Sequence, residues 1–125
     1  MNLVRNLFFI LFILTCFNSC TQKVENLKVI SQEVFSKLPT TNIQLLDVRT
    51  PREFQEGFIE GATLINFYDT DFVTKVHSKF DKNRPLYIYC AVGSRSKEAG
   101  YNLVLEGFTE IYNLKGGYIG YQKYN

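Results

Sequence analysis

The chain has 125 residues, 46% apolar and 21% charged, which is room for one folded domain and the wrong balance for a disordered chain. Its 14 Lys and Arg against 12 Asp and Glu form no basic run or stripe, so nothing points to nucleic acid. One His and three Cys, at positions 16, 20 and 90, fit neither a His-rich or zinc site nor a disulfide framework, so no metal is expected.

In chain order, residues 1–20 come first, reading MNLVRNLFFILFILTCFNSC. Arg5 precedes an apolar run from Leu7 to Phe17, which falls short of the roughly 20 residues a spanning helix needs. It has the length of a signal-peptide core. Ser19 directly before Cys20 resembles the processing site of a bacterial lipoprotein, with Phe17 and Asn18 departing from the commoner residues of that box. The resemblance implies a signal peptide over 1–19 and a lipid on Cys20. It also implies a membrane-anchored envelope protein facing the periplasm or exterior. An ordinary signal peptide cut nearby and an uncleaved short anchor are the alternatives. Cys16 leaves with the signal, Cys20 becomes the anchor, and Cys90 is then the only thiol left. A lone thiol in an oxidising compartment points to a thiol with a task.

Residues 20–27 read as a polar tether, and the domain is expected over 28–125. Lys28-Val29-Ile30 is a short strand. Ser31 caps a helix with Val34, Phe35 and Leu38 on one side, stopped at Pro39. Ile43–Val48 has the length and apolarity of a strand. Thr50-Pro51-Arg52-Glu53 is a capping box with Pro at the first helical position, and Gly57 ends the helix. Ala62–Phe67 is a third strand. Over 70–80, Phe72, Val73, Val76 and Phe80 share one helical face. Asn83-Arg84-Pro85 turns the chain into a strand at Leu86–Tyr89. A helix follows from Ser94 to Glu106, with Ala99, Leu103 and Val104 inward and Gly107 as its stop. Ile111–Leu114 is the last strand, broken by Gly116-Gly117 ahead of a Tyr-rich tail. Strands alternating with helices predict an α/β fold, a mainly parallel sheet covered on both faces. Ligands of such sheets bind beyond the carboxyl ends of the strands, where Cys90 falls.

The segment Tyr89-Cys90-Ala91-Val92-Gly93-Ser94-Arg95-Ser96 is a strand, a tight loop and a helix start. Inward loop amides, the helix dipole and the Arg95 charge all favour a thiolate. Gly93 permits an unusual loop conformation, and Ser94 or Ser96 can cap the helix or hydrogen-bond the sulfur. A small buried Cys at a strand end is the bland alternative. Asp47 and Arg49 are expected to pair with each other, with Glu53 or with loop amides as structural groups. His77, beside an apolar helical face, is expected to be solvated, and Tyr112, Tyr118, Tyr121 and Tyr124 to pack the final segment.

Four segments in order are similar to the motifs of single-domain rhodaneses. They are Leu46 to Phe54, Gly57 to Ala62, Cys90 to Ser96, and Gly107-Phe108 with Leu114-Lys115-Gly116-Gly117. The resemblance spans about residues 28–125. It implies a ping-pong sulfurtransferase in which Cys90 takes a sulfane sulfur from a donor such as thiosulfate. The resulting persulfide then passes the sulfur to a thiol or to cyanide. The resemblance also assigns donor and persulfide binding to Ala91, Val92, Gly93, Ser94, Arg95 and Ser96, with Arg95 facing an anionic donor, and it implies no cofactor. Small-molecule donor and acceptor are the implied partners, with an envelope thiol protein as a further acceptor. Four residues separate Cys90 from Arg95, whereas phosphatases that resemble this fold have five, so the count favours sulfur over phosphate. Ala91 stands where a polar residue or Arg is common, Phe58 where His is usual and Tyr121 where Trp is frequent. A non-catalytic rhodanese-like binding module and an envelope thiol carrier are the competing functions.

Overall fold

The computed structural model describes residues 1–5, 25–39 and 41–125. The expected signal segment from residue 6, Cys20 and the expected tether as far as residue 24 lie outside the described residues. No helix among the described residues is long and apolar enough to cross a membrane.

Five strands form one parallel sheet: β1 (Leu27–Ile30), β2 (Gln44–Asp47), β3 (Thr63–Leu64), β4 (Leu86–Tyr89) and β5 (Ile111–Leu114). Their order is β1-β5-β4-β2-β3, so β4 is central, with β5 and β2 beside it. The helices are α1 (Gln32–Ser36), α2 (Pro51–Gln55), α3 (Phe72–Lys79), α4 (Ser94–Leu105) and α5 (Gly117–Tyr124). This is the α/β architecture that the alternation of elements predicts.

The period of two along β4 divides the core. Leu86, Ile88 and Cys90 enter one cluster with Phe72 and Val76 of α3 and with Ala99, Leu103 and Val104 of α4. Tyr87 and Tyr89 enter the opposite cluster, with Phe35 of α1 and with Tyr118 and Tyr121 of α5. Both faces of the sheet are therefore covered, as an all-parallel sheet requires. His77 is exposed, with its ring 5.3 Å from that of Phe108.

Several boundaries differ from the sequence reading. Leu27 belongs to β1, in register with Ile111, so the strand begins one residue before the expected domain start at Lys28, and the Asn26 carbonyl accepts from the Ile111 amide. Val34 faces outward. At five residues, α1 is too short to present a full apolar stripe, and Phe35 alone is buried from it. The third strand shrinks to two residues, although the Ile65 and Phe67 amides still reach the Asp47 and Val48 carbonyls. A turn closed by Asp69 N–H onto the Asn66 carbonyl then pulls the chain off the sheet.

Candidate active site

The loops that follow β2, β4 and β5 meet at the carboxyl end of the sheet. Cys90 is the first residue beyond β4 and is fully buried. Its Sγ accepts a hydrogen bond from the Gly93 amide at 3.1 Å. Gly93 has φ +110°, a left-handed conformation that a side chain resists, and this bend turns the chain from β4 into α4. The sulfur thus lies under the amino end of a twelve-residue helix, whose dipole favours negative charge there.

Ser96 lies on the first turn of α4 and is also fully buried. Its hydroxyl is 3.4 Å from Cys90 Sγ, 3.2 Å from the Gly93 carbonyl and 2.6 Å from Asn113 Oδ1. It has one proton to donate, and a thiolate competes for that proton far better than a thiol does. Asn113 Nδ2 donates to the Gly93 carbonyl at 3.1 Å, so β5 braces the loop from below. Burial of Cys90 disfavours its charged form. The Ser96 hydroxyl and the amides of Ser96, Gly93 and Val92 outweigh that penalty and hold the thiol below its usual range. Ser96→Ala is therefore expected to raise the pH midpoint of Cys90 alkylation by iodoacetamide. A midpoint unmoved or lowered would show that the amides alone set the thiol.

Arg95 lies on the first turn of α4, next to Ser96. Its guanidinium forms a fork with Glu53, Nη1 to Oε2 at 2.9 Å and Nη2 to Oε1 at 2.6 Å. Through this fork and the contacts with Thr50, the Glu53 carboxyl is pulled down to about 2 despite some desolvation. Glu53 also completes the capping box at the start of α2: its Oε2 accepts from the Thr50 amide, and Thr50 Oγ1 accepts from the Glu53 amide. One carboxylate thus ties the loop after β2 to the loop after β4. The alternative partner for Arg49 is thereby removed, because Glu53 is taken by Arg95.

Arg49 instead makes a buried ion pair with Asp47, Nη2 to Oδ2 at 2.7 Å. The same Nη2 donates to the Gly57 carbonyl at 2.7 Å, and the guanidinium lies 4.3 Å above the Tyr118 ring. Phe58, next to Gly57, is half exposed and stacks on Phe54.

The amino end of α5 completes the arrangement. The Tyr118 amide donates to the Cys90 carbonyl at 2.8 Å and the Ile119 amide to the Ala91 carbonyl at 3.1 Å. With those carbonyls turned to α5, the loop amides that follow are left to face the sulfur. Beside the loop is a cavity of about 290 Å³, lined by Ala91, Arg49, Glu53, Glu56, Tyr118 and Ile119 among others. A second, largely apolar cavity lies among α1, β2 and α5 and is lined by Phe35, Leu45 and Tyr121 among others.

Of the segment singled out in the sequence, Cys90, Gly93 and Ser96 converge on the sulfur. Ala91 walls the cavity, and Val92 is exposed at the loop tip. Ser94 is exposed and caps nothing, because the cap position is Gly93 and carries no side-chain bond. Asn113 escaped the sequence reading. Its signal was a buried amide in an otherwise apolar strand, a residue type that interiors hold only when it is hydrogen-bonded.

Comparisons with known proteins bear on the family and the fold. The family described as rhodanese-like domain matches residues 31–124. The uncharacterized protein YqhL of Bacillus subtilis is 33% identical over 117 residues, covering 94% of this chain and 90% of its own length. Thiosulfate sulfurtransferase GlpE of Pseudomonas aeruginosa is 30% identical over 90 residues, covering 71% of this chain and 78% of its own. The crystal structure of a rhodanese-like domain protein from Staphylococcus aureus superposes with a TM-score of 0.66 at 31% identity, over 75% of this chain and 90% of that one.

Proposed function

The chain belongs to the rhodanese-like domain family, and from that premise we propose that it is a sulfurtransferase working through a persulfide on Cys90. The observation that carries this reading is the environment of Sγ: a buried sulfur on the amino end of α4, with the Gly93 amide at 3.1 Å and the Ser96 hydroxyl at 3.4 Å.

In the first half-reaction, the Cys90 thiolate attacks the outer sulfur of a sulfane donor. A new S–S bond forms, the donor's own S–S bond breaks, and the leaving group departs with the bonding pair. The Gly93 and Val92 amides and the Ser96 hydroxyl, which favour the thiolate, then face the negative charge of the persulfide. In the second half, an acceptor thiolate attacks the outer sulfur and Cys90 leaves as the thiolate, again into the same hydrogen bonds. No cofactor takes part in these steps. Gly93 and the α5 contacts to the Cys90 and Ala91 carbonyls keep the loop in one shape through both halves.

Mass spectrometry of the intact protein tests this directly. A sulfane donor is expected to add the mass of one sulfur atom at Cys90, and cyanide to remove it as thiocyanate. Absence of that adduct with every sulfane donor would overturn the reading.

We further propose that the protein is a lipid-anchored envelope protein, with Cys20 as the attachment point. The support is the short apolar run ahead of Ser19-Cys20. Its acceptor would then be a small thiol or an envelope thiol protein. Stable anchoring needs more than one acyl chain, and a lipoprotein Cys carries several. The protein should therefore stay with membranes through a high-salt wash and be released by detergent. Cys20→Ser is expected to leave an unprocessed precursor; a processed, soluble Cys20→Ser product would favour an ordinary signal peptide.

A further inference from the structure

Asn113 is a buried amide on β5, in register with Ile88 of β4. Paired residues share a face of a sheet, so the alternation that sends Ile88 and Cys90 under α4 sends Asn113 there too. The two ends of its amide do different things. Nδ2 donates to the Gly93 carbonyl at 3.1 Å, while Oδ1 accepts the Ser96 hydroxyl at 2.6 Å. The same hydroxyl is 3.2 Å from the Gly93 carbonyl and 3.4 Å from Cys90 Sγ. One proton faces three acceptors, and the amide oxygen is the nearest. A thiol sulfur is a weak acceptor and a thiolate a strong one, so ionisation of Cys90 reverses the ranking.

The other groups about the sulfur are already paired or apolar. Arg95 of α4 is forked to Glu53 of α2, and the exposed Tyr68 stands near Arg95. Asp47 and Arg49 pair on the opposite side of the sheet, against Tyr89 and Tyr118. From α3, Phe72 and Val76 share the Cys90 cluster.

We propose that Asn113 is a positioning residue for sulfur transfer, whose Oδ1 holds the Ser96 proton while Sγ is neutral and yields it when Sγ carries charge. The proposal rests on Cys90 being the sulfur-accepting nucleophile. No covalent bond changes: the Ser96 O–H turns about its Cβ–Oγ bond from one acceptor to the other. A competitor for that proton leaves the thiolate less stabilised, and such a thiolate is the better nucleophile and the poorer leaving group. Asn113 thus favours loading of sulfur over its release.

The pH midpoint of Cys90 alkylation by iodoacetamide tests the competition without requiring sulfur transfer. The series is wild type, Asn113→Leu, Asn113→Asp, Ser96→Ala and the double variant Asn113→Leu with Ser96→Ala. Asn113→Leu removes the acceptor at nearly constant shape and is expected to lower the midpoint by about one unit, the scale of one hydrogen bond. It also loses the bond to the Gly93 carbonyl, and a residue that only braced the loop would loosen the loop amides and raise the midpoint. Asn113→Asp keeps an acceptor and is expected at or above the wild-type midpoint. In the double variant the midpoint should stay where Ser96→Ala alone puts it. A midpoint unmoved or raised in Asn113→Leu, lowered in Asn113→Asp, or still shifted by Asn113→Leu once Ser96 is Ala overturns the proposal. Thermal melts check each variant, and Asn113→Ala removes the same acceptor if Asn113→Leu fails to fold. Above all the midpoints, single-turnover loading from thiosulfate should slow in Asn113→Leu by about two- to threefold, and release to cyanide should quicken by as much. Loading and release that move together, or not at all, overturn the role in transfer. Absence of any sulfur adduct on Cys90 overturns the sulfurtransferase reading and leaves the alkylation series to judge the Ser96 proton by itself.

Discussion

Cys90→Ser is expected to lower sulfur-transfer turnover by at least about a thousandfold, the scale on which loss of a covalent nucleophile acts. The substitution exchanges one atom in a fully buried position at the end of β4. The hydroxyl oxygen can still accept from the Gly93 amide, so the loop and the fold should persist with little change in melting temperature. The chemistry cannot persist. A Ser hydroxyl stays protonated where the Cys90 thiol is held below its usual range, and oxygen has no sulfane persulfide to form. Steady-state assay with cyanide as acceptor, alongside intact mass after donor treatment, reads both effects. Retained turnover in a folded Cys90→Ser protein would move the nucleophile elsewhere. Among the described residues Cys90 is the only free cysteine, which leaves no second thiol there to take over.

Gly117→Ala should have the next largest effect, and it acts through backbone geometry with no loss of a chemical group. A Cβ at this position would lie 2.5 Å from the Cys90 carbonyl oxygen and 2.6 Å from the Ala91 carbonyl carbon and oxygen. Those atoms are backbone, so no side chain can swing away. The residue also has φ +58°, which costs a non-glycine residue about 1–2 kcal/mol. Relieving the contact means pulling α5 off the loop. That breaks the Tyr118 and Ile119 amide bonds to the Cys90 and Ala91 carbonyls. A total of about 2–4 kcal/mol follows from the strain and the lost bonds together. For a domain of this size it lowers the melting midpoint by roughly 10–20 °C. The fraction that remains folded should also transfer sulfur slowly, because the carbonyls released from α5 compete for the amides that face Sγ. Thermal melts and single-turnover loading measured below the midpoint separate the two effects. A Gly117→Ala protein with wild-type melting and loading would show that α5 does not brace the loop.

The acid side of the stability profile follows from the Glu53–Arg95 fork. The Glu53 carboxyl is lowered in the fold to about 2, mainly through its bond to Arg95. A group with a lowered folded value stabilises the fold at pH above its unfolded value. That stabilisation is lost as pH falls through the folded value. The fork is therefore intact across the neutral range and opens only in strong acid, and ordinary assay conditions do not free Arg95.

Much of this protein is set by interactions that span a single turn or strand, and those are readable from neighbours in the sequence. The Thr50–Glu53 capping box is such a case: donor and acceptor are three residues apart, and any chain carrying Thr-Pro-Arg-Glu in this frame can close it. The bounds of β4 and β5 follow from apolar runs between turn residues, and the place of Cys90 at a strand end follows from the alternation of strands and helices. The tertiary structure alone decided which charges meet. Arg95 and Glu53 are 42 residues apart, and whether Glu53 takes Arg49 or Arg95 depends on how the loops after β2 and β4 cross. The buried Asn113 amide finds Ser96 and the Gly93 carbonyl only because β5 pairs with β4 in that register. The double glycine at 116–117 is legible as a break in the strand. The reason for the second glycine, a backbone approach to Cys90 too close for any Cβ, exists only once α5 is folded against the loop. Local hydrogen bonds and burial patterns depend on residue type and short spacing. Ion pairing and close backbone contact depend on where distant segments arrive, and that is a property of the packed sheet.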